Sequence, residues 1–474
     1  MSHNINGIIK SIRDIMRTDG LATDMQRMEQ LGWMMFLKIF DDKDYEFEMI
    51  EDNYISPIPS EFQWRNWASN DEGMTGDDLL NFVNNKLFPS LKKLTGFSNR
   101  SLYVREVFSG THNLMRSGTE LRKVINKLNQ IDFNKSKDKH LFGDIYEKML
   151  EGLGHKKDSG AYYTPRAITQ LITEIISPKL GEIIFDPACG TGGFLVNAIE
   201  YLKSNGIKTI EDKKILDSTI KGIEDSPIPY MLGLTNLILH DIEMPNIICD
   251  DTLLVKDYNS ITGKDKVDCI LANPPFGGTI KDGADTNFPL NYRTKETADL
   301  FLILMIAYLK DSGRAGIVLP DGSLTGDGVK QRIREKLLTD CNLHTIVRLP
   351  NSVFQPYASV ATNLLFFTKG TPTKEIWYYE HKLPEGQKAY SKTKPIKLEE
   401  FEPLKLWWNN HEENEQAWKV DIETIKANGY NLDIKNPHKE EVEHSYTSSE
   451  LLEMLSNSFA KSNTLLEKLK SELS

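Results

Sequence analysis

Cysteine is scarce in this chain: four among 474 residues, at positions 189, 249, 269 and 341, none in CxxC spacing. That argues against a disulfide framework and against a zinc site, so no metal is expected. Long apolar runs are missing as well. No stretch approaches the ~18 to 20 uninterrupted apolar residues of a membrane span. The amino terminus, MSHNINGIIKSIRDIM, lacks the apolar core of a secretion signal, and the expected setting is the cytoplasm, away from any membrane. An excess of basic charge is missing too, since 57 Lys and Arg stand against 68 Asp and Glu, leaving −11. Proteins that grip nucleic acid unaided usually carry a basic face. Either the cations here gather on one face, or a partner makes most of such contacts. Neither a G-x-x-x-x-G-K-[ST] phosphate loop nor GxGxxG spacing occurs, which speaks against an ATP-driven motor. Internal repeats, low-complexity tracts and helix-turn-helix patterns are also absent.

What remains is ordinary globular composition, 39% hydrophobic and 26% charged, with length for two or three domains. Residues 1–138 read as mostly helical. Met25, Met28, Leu31, Met34, Met35, Leu37 and Phe40 repeat at helical spacing, as do Leu121, Val124, Ile125 and Leu128. The bland reading of that methionine and aromatic stripe is core. The aromatic, Pro-containing stretch 54–67 reads as loop, and 134–138 as a linker. From 139 to 385, short β runs alternate with amphipathic helices. Strands are expected at 182–185, 220–223, 246–249, 267–271, 315–319, 345–349 and 364–368. Helices are expected at 194–202, 230–239 and 298–310, the last closed by Gly313. Such alternation predicts an α/β fold with a doubly wound, largely parallel sheet, whose ligands sit beyond the carboxyl ends of the strands. Residues 386–474 are polar and end in a helix. Its Leu452, Leu455, Phe459, Leu466 and Leu469 fall roughly on a heptad seam, to be buried on its own domain or on a partner's helix.

The first motif, Asp186-Pro187-Ala188-Cys189-Gly190-Thr191-Gly192-Gly193-Phe194, joins the first strand to its helix. Its glycines allow a tight turn and close approach of a ligand to backbone, and the helix that follows presents N–H groups. Alone this is weak evidence. One βα unit later the second strand ends at Glu224-Asp225, where an acid can accept ribose hydroxyls or simply charge a helix N-terminus. The third ends at Asp250-Asp251, again at the rim.

Asn273-Pro274-Pro275-Phe276, directly after a buried strand, is the most informative motif. An exocyclic amine on an aromatic ring is a poor nucleophile because its lone pair is delocalised. A fixed amide oxygen (Asn273) and backbone carbonyl (Pro274) can accept its two hydrogens and favour the pyramidal form. Pro274 and Pro275 stiffen the turn, and Phe276 offers a ring face for stacking. A merely rigid turn is the competing reading.

With these residues, the chain resembles the modification subunits of type I restriction-modification systems, within the amino-methyltransferases of nucleic acids. The run QRMEQLGWMMFLKIFDD (26–42), LFGDIYE (141–147), SGAYYTPR (159–166), the two motifs, 349–367 and NGYNLD (428–433) all carry the likeness, which spans nearly the whole chain. The resemblance implies an S-adenosylmethionine-dependent methyltransferase sheet between a helical N-terminal domain and a C-terminal helical tail. It implies methyl transfer to adenine N6 in duplex DNA. By the same resemblance, Asp186, Ala188, Gly190, Thr191, Gly192 and Glu224 would hold S-adenosyl-L-methionine. Tyr163, Thr164 and Pro165 would approach its carboxylate, and Asp250 or Asp251 its adenine. Asn273, Pro274, Pro275 and Phe276 would form the catalytic turn that holds the target base. The family often has glycine before the acid of the third strand; Asp250 stands there, leaving open which aspartate touches the cofactor. The implied partners are duplex DNA and a specificity subunit that two copies of this chain flank, with a restriction or motor subunit as an open addition. Residues 277–291 are expected to be a loop that orders on DNA. Rivals are a methyltransferase for another amine or amide, such as a protein glutamine, and a non-catalytic cofactor-binding scaffold.

Overall fold

The strands are β1 Ile184–Asp186, β2 Ile220–Glu224, β3 Asn246–Cys249, β4 Val267–Ala272, β5 Leu309–Pro320, β6 Cys341–Arg348, β7 Thr362–Lys369, β8 Glu375–Glu380 and β9 Ala417–Asp421. They pair into one sheet in the order β3-β2-β1-β4-β5-β7-β6-β8-β9. The computed structural model describes residues 5–96, 98–133, 143, 146, 164–277, 280–355, 360–391, 393–438 and 448–473. The expected linker 134–138 lies outside them.

From β3 to β5 every ladder is parallel. Antiparallel pairing enters where β7 slots between β5 and β6, and again where β9 joins β8. The sheet is therefore mixed: wholly parallel in the half that carries the motifs, and in the other half parallel where β6 meets β8. Along β4, Cys269 and Leu271 face one core while Ile270 and Ala272 face the other, as the period of two requires. Helices cover both faces, so the inner strands read as near-continuous apolar runs. Gly316 lets the Arg166–Ile176 helix lie directly on β5: a Cβ there would meet Ile172 at 2.6 Å.

Several boundaries differ from the sequence reading. The first strand starts at Ile184 rather than 182: the Ile183 N–H is taken by the Asp268 carboxylate, at 2.8 Å, rather than by a ladder carbonyl. The helix expected over 298–310 is Thr297–Tyr308, and Gly313 lies inside β5. There the register with β4 shifts and Ser312 adopts a φ of 65°. Two strands were missed. β9 comes from beyond residue 385, and its Lys419 and Asp421 mark the kind of charged edge that blunts further pairing. Trp418 stacks on Tyr378 across the β8–β9 pair, centroids 5.3 Å apart. The stretch 54–67 is not wholly loop. It holds turns at Ser60–Phe62 and Trp64–Trp67, fixed by the burial of Phe62, Trp64 and Trp67 and by Trp64 Nε1 donating to Asn129 at 2.9 Å.

The helical N-terminal domain opens with Ile5–Thr18, which buries Ile5, Ile8, Ile9, Ile12 and Met16 on one stripe. Asp24–Ile50 follows, started by a capping box between Thr23 and Gln26. Its stripe from Met28 to Phe40 is core. Next to it packs the Pro227–Leu239 helix, apolar nearly all round. A Cβ on Gly32 would meet Met231 at 2.6 Å, and Tyr230 donates to Glu106 at 2.7 Å. Met1–Ile434 form one compact unit and Lys435–Ser474 a second. In the second, the 26-residue helix Ser448–Leu473 exposes Leu451, Leu452, Leu455, Phe459 and Leu466. The side chain of Leu469 lies outside the described residues. No helix among the described residues is long and apolar enough to cross a membrane.

Candidate active site

β1 and β4 are parallel neighbours, with Phe185 opposite Ile270, so the glycine loop and the Asn-Pro-Pro-Phe turn leave the sheet side by side. This is where strand order reverses, from β1-β2-β3 on one side to β4 on the other, and a crevice opens at such a point. Gly190 and Gly192 take φ of 53° and 82°, a left-handed backbone that favours glycine. Backbone and side-chain bonds hold the loop. Cys189 N–H donates to Ile223 O at 2.9 Å, and Gly192 N–H to Cys189 O at 2.8 Å. Glu224 accepts the N–H groups of Gly190 at 2.9 Å and Ser226 at 3.0 Å. The Pro227–Leu239 helix supports the loop from behind, through Asn236 Nδ2 donating to Thr191 O at 3.1 Å. The helix Gly193–Ser204 starts at the loop's end.

Two acids dominate the electrostatics. Asp186 is 1% exposed and accepts the Ala188 N–H at 3.0 Å; burial, with the Glu224 charge adding to it, pushes its carboxyl up to about 8. Burial lifts Glu224 to about 7. An acid with a raised pKa favours the fold while protonated. Asp186 supports the fold fully below its ordinary 3.8 and loses that contribution as pH rises through about 8. The cofactor-free protein is thus expected to melt at lower temperature as pH climbs from about 4 to about 8, with Asp186→Asn flattening the slope. Thermal melts across that window check it, and an unaltered slope in the variant would count against the assignment. The same pair suits a ligand with positive charge and hydroxyls, because a cation nearby restores the ionised forms.

At the end of β3 the two aspartates differ. Asp250 is exposed and caps the Asp251 N–H at 2.7 Å. Asp251 is half-buried, accepts Leu253 N–H at 2.9 Å, and faces Lys281 Nζ at 3.2 Å. Lys281 also lies 3.8 Å from Asp225. It belongs to the segment after the Asn-Pro-Pro-Phe turn, the expected loop 277–291, which buries Ile280, Ala284 and Phe288. Residues 278 and 279 lie outside the described residues.

Asn273 follows β4 at once. Its Nδ2 donates to Thr164 Oγ1 at 2.8 Å, while its Oδ1 is buried with no hydrogen-bond partner among the described residues. Pro274 is buried; Pro275 and Phe276 are half-buried. The Phe276 ring meets Phe354 edge-on, centroids 5.9 Å apart at 79°. Thr164 and Pro165 precede the Arg166–Ile176 helix, so this segment reaches Asn273. Tyr163 lies outside the described residues. Sequence reasoning passed over Phe354, Lys281, Asn236 and Gly233. For Phe354 a signal existed, the Leu349-Pro350 break at the end of β6, though not one that names the ring four residues on.

A glycine loop with buried acids, beside a strand-end turn whose amide oxygen is unpaired among the described residues, is the arrangement of an amino-methyltransferase. The model for N-6 DNA methylases matches residues 137–445, and that for the HsdM N-terminal domain matches 5–128. The chain belongs to the N-6 DNA methylase family, adenine-specific DNA methyltransferases that draw their methyl group from S-adenosylmethionine, and within it to the type I methylase subunits. It is 53% identical to the type I restriction enzyme EcoEI methylase subunit of Escherichia coli, over 92% of this chain and 91% of that one. A solved modification subunit ascribed to a type I restriction enzyme of Vibrio vulnificus YJ016 superposes with a TM-score of 0.82 at 41% identity, covering 94% of this chain and 99% of the other. A chain from a study of complex assembly and conformational transition in the type I R-M system gives 0.85 at 36% identity, covering 100% and 98%.

Proposed function

We propose that this site methylates N6 of an adenine rotated out of duplex DNA, and that it does so as the modification subunit of a type I complex whose sequence specificity resides in a separate subunit. The observation that carries the reading is the buried Oδ1 of Asn273, without a partner among the described residues; the carbonyl of the next residue, Pro274, would be the second acceptor. An amine with two hydrogens to donate fits two fixed acceptors, and acceptors set in advance cost no reorganisation when the amine turns nucleophilic. Phe276 and Phe354 would give the base aromatic surface to pack against, which offsets the stacking lost on leaving the duplex. Pro275 keeps the turn rigid.

The residues around the glycine loop fit S-adenosylmethionine. Asp186 and Glu224 would face its cationic and ribose portions, Ala188, Gly190, Thr191 and Gly192 its backbone-contacting side, and Tyr163, Thr164 and Pro165 its carboxylate. Of the two β3 aspartates, the inward Asp251 suits the adenine better than the exposed Asp250. The cofactor supplies a methyl group on a sulfonium, already activated for displacement. What falls to the protein is alignment of N6 with that methyl and exclusion of water.

The partners we assign are DNA, a specificity subunit flanked by two copies of this chain, and a restriction subunit that joins them, in the cytoplasm. The −11 charge supports a division of labour in DNA binding, and the exposed apolar stripe of Ser448–Leu473 supports a helical contact with a partner. We divide the chain into 1–138, 139–385 and 386–474, the third segment lending β9 to the sheet of the second before its terminal helix. Transfer of labelled methyl to DNA, with and without the specificity subunit encoded beside this chain, tests the reading. N6-methyladenine formed only with the partner supports it. Activity of the lone chain refutes the division of labour, and no transfer in either case refutes the reaction.

A further inference from the structure

Asn273 serves an amine donor in only one of two orientations. Turning a carboxamide by half a revolution exchanges an acceptor for two donors. Presented the wrong way, Asn273 would set its own N–H groups against the hydrogens of N6. The amide must therefore be held, and the structure shows by what. Nδ2 donates to Thr164 Oγ1 at 2.8 Å, across a separation of 109 residues, and Oδ1 is left buried and unpaired among the described residues.

The placement of Thr164 is itself braced. Pro165 caps the Arg166–Ile176 helix, and Arg166 pairs with Glu200 at 2.8 Å. A second bond ties this helix to Gly193–Ser204: Asn197 Nδ2 donates to Thr169 Oγ1 at 2.6 Å, and within its own helix to Gly193 O at 3.0 Å. Gly193–Ser204 is the helix that springs from the glycine loop. The hydroxyl that touches the base-side amide is thus fastened to the cofactor-side loop.

We propose that Thr164 is a positioning residue for methyl transfer, acting through Asn273 by pinning its carboxamide so that Oδ1 meets the target amine. This rests on the reading of Asn273 as an acceptor for N6, and it goes beyond the cofactor-carboxylate role that resemblance gives Thr164. A hydroxyl can accept from Nδ2 or donate to Oδ1, so what it fixes alone is the plane of the amide. With N6 offering only hydrogens on the opposite side, the arrangement with every group paired is Nδ2 on Thr164 and Oδ1 on N6. Valine has the shape of threonine but can neither accept nor donate. Serine keeps the hydroxyl.

The test uses the complex with its specificity subunit and follows methyl transfer to duplex DNA. Thr164→Val is expected to lower kcat roughly 100-fold, the scale of an acceptor misaligned by about 1 Å and well beyond any rise in KM for S-adenosylmethionine that its place by the cofactor carboxylate brings, with Kd for DNA within about threefold of wild type. Thr164→Ser is expected to stay within about threefold on all three, and Thr164→Ala, which adds no atom, to behave as the valine does. A valine variant with wild-type kcat overturns the proposal. So does a loss confined to cofactor affinity, which would return Thr164 to the carboxylate. Asn273→Ala run alongside keeps the two ideas apart. If it loses transfer while Thr164→Val keeps it, only the Thr164 proposal falls; if it keeps transfer, the reading of Asn273 falls first.

Discussion

Asn273→Ala is expected to slow methyl transfer on the order of a thousandfold while leaving cofactor affinity within about threefold. The substitution removes the one buried side-chain acceptor on the turn and leaves the Pro274 carbonyl alone to receive two hydrogens. It also strips Thr164 of its amide partner, which a half-buried hydroxyl tolerates at modest cost in stability. The asymmetry between rate and binding is the informative part, because an acceptor used only as the amine becomes nucleophilic changes kcat and not KM. Single-turnover transfer with DNA and cofactor both saturating measures the rate, and calorimetric titration of S-adenosylmethionine measures the affinity. Equal losses in both would move Asn273 to the cofactor side of the crevice.

The second large effect is expected at a residue that no ligand need touch. A Cβ on Gly233 would stand 2.8 Å from Gly190 O, 3.2 Å from Thr191 C and 3.4 Å from Gly192 N, all backbone atoms. The loop has nowhere to retreat, since Cys189, Gly190 and Gly192 are each held by a backbone N–H bond. Gly233→Ala should therefore raise the Kd for S-adenosylmethionine roughly 30-fold and cost about 1–3 kcal/mol of stability through overpacking. Gly263→Ala, with open space at its Cβ, is the control and should do neither. Unchanged affinity in Gly233→Ala would mean that the loop does not cradle the cofactor. The expectation exceeds the usual gain in helix propensity from Gly to Ala, about 1 kcal/mol, which acts in the opposite direction.

What could be read from the residues alone was the half of the fold where pattern and packing agree. β3 was placed to the residue, and β4 nearly so, because short apolar runs bounded by turn residues have little else to become. β8 and β9 escaped. Glu375, Lys419 and Asp421 sit on the outer strands of the sheet, where one face meets water and charge dilutes the apolar signal. The antiparallel insertion of β7 could not be read from periodicity, which is blind to strand direction. At the site, motifs whose chemistry lies in one contiguous stretch were legible. Contacts built from distant segments were not: the Thr164–Asn273 bond, the Phe276–Phe354 pair and the Lys281–Asp251 bridge each join residues that sequence spacing does not relate.

The Pro227–Leu239 helix has no side left over. One face meets the glycine loop through Gly233 and Asn236, and another meets the N-terminal domain, where Met231 fills the space above Gly32 and Pro227 lies against Gly110. Few of its positions can drift without disturbing one neighbour or the other. Over evolutionary time the N-terminal domain is then no interchangeable module. A graft from a distant relative would arrive with a surface cut for someone else's helix, and its misfit would be felt at the loop on the far side.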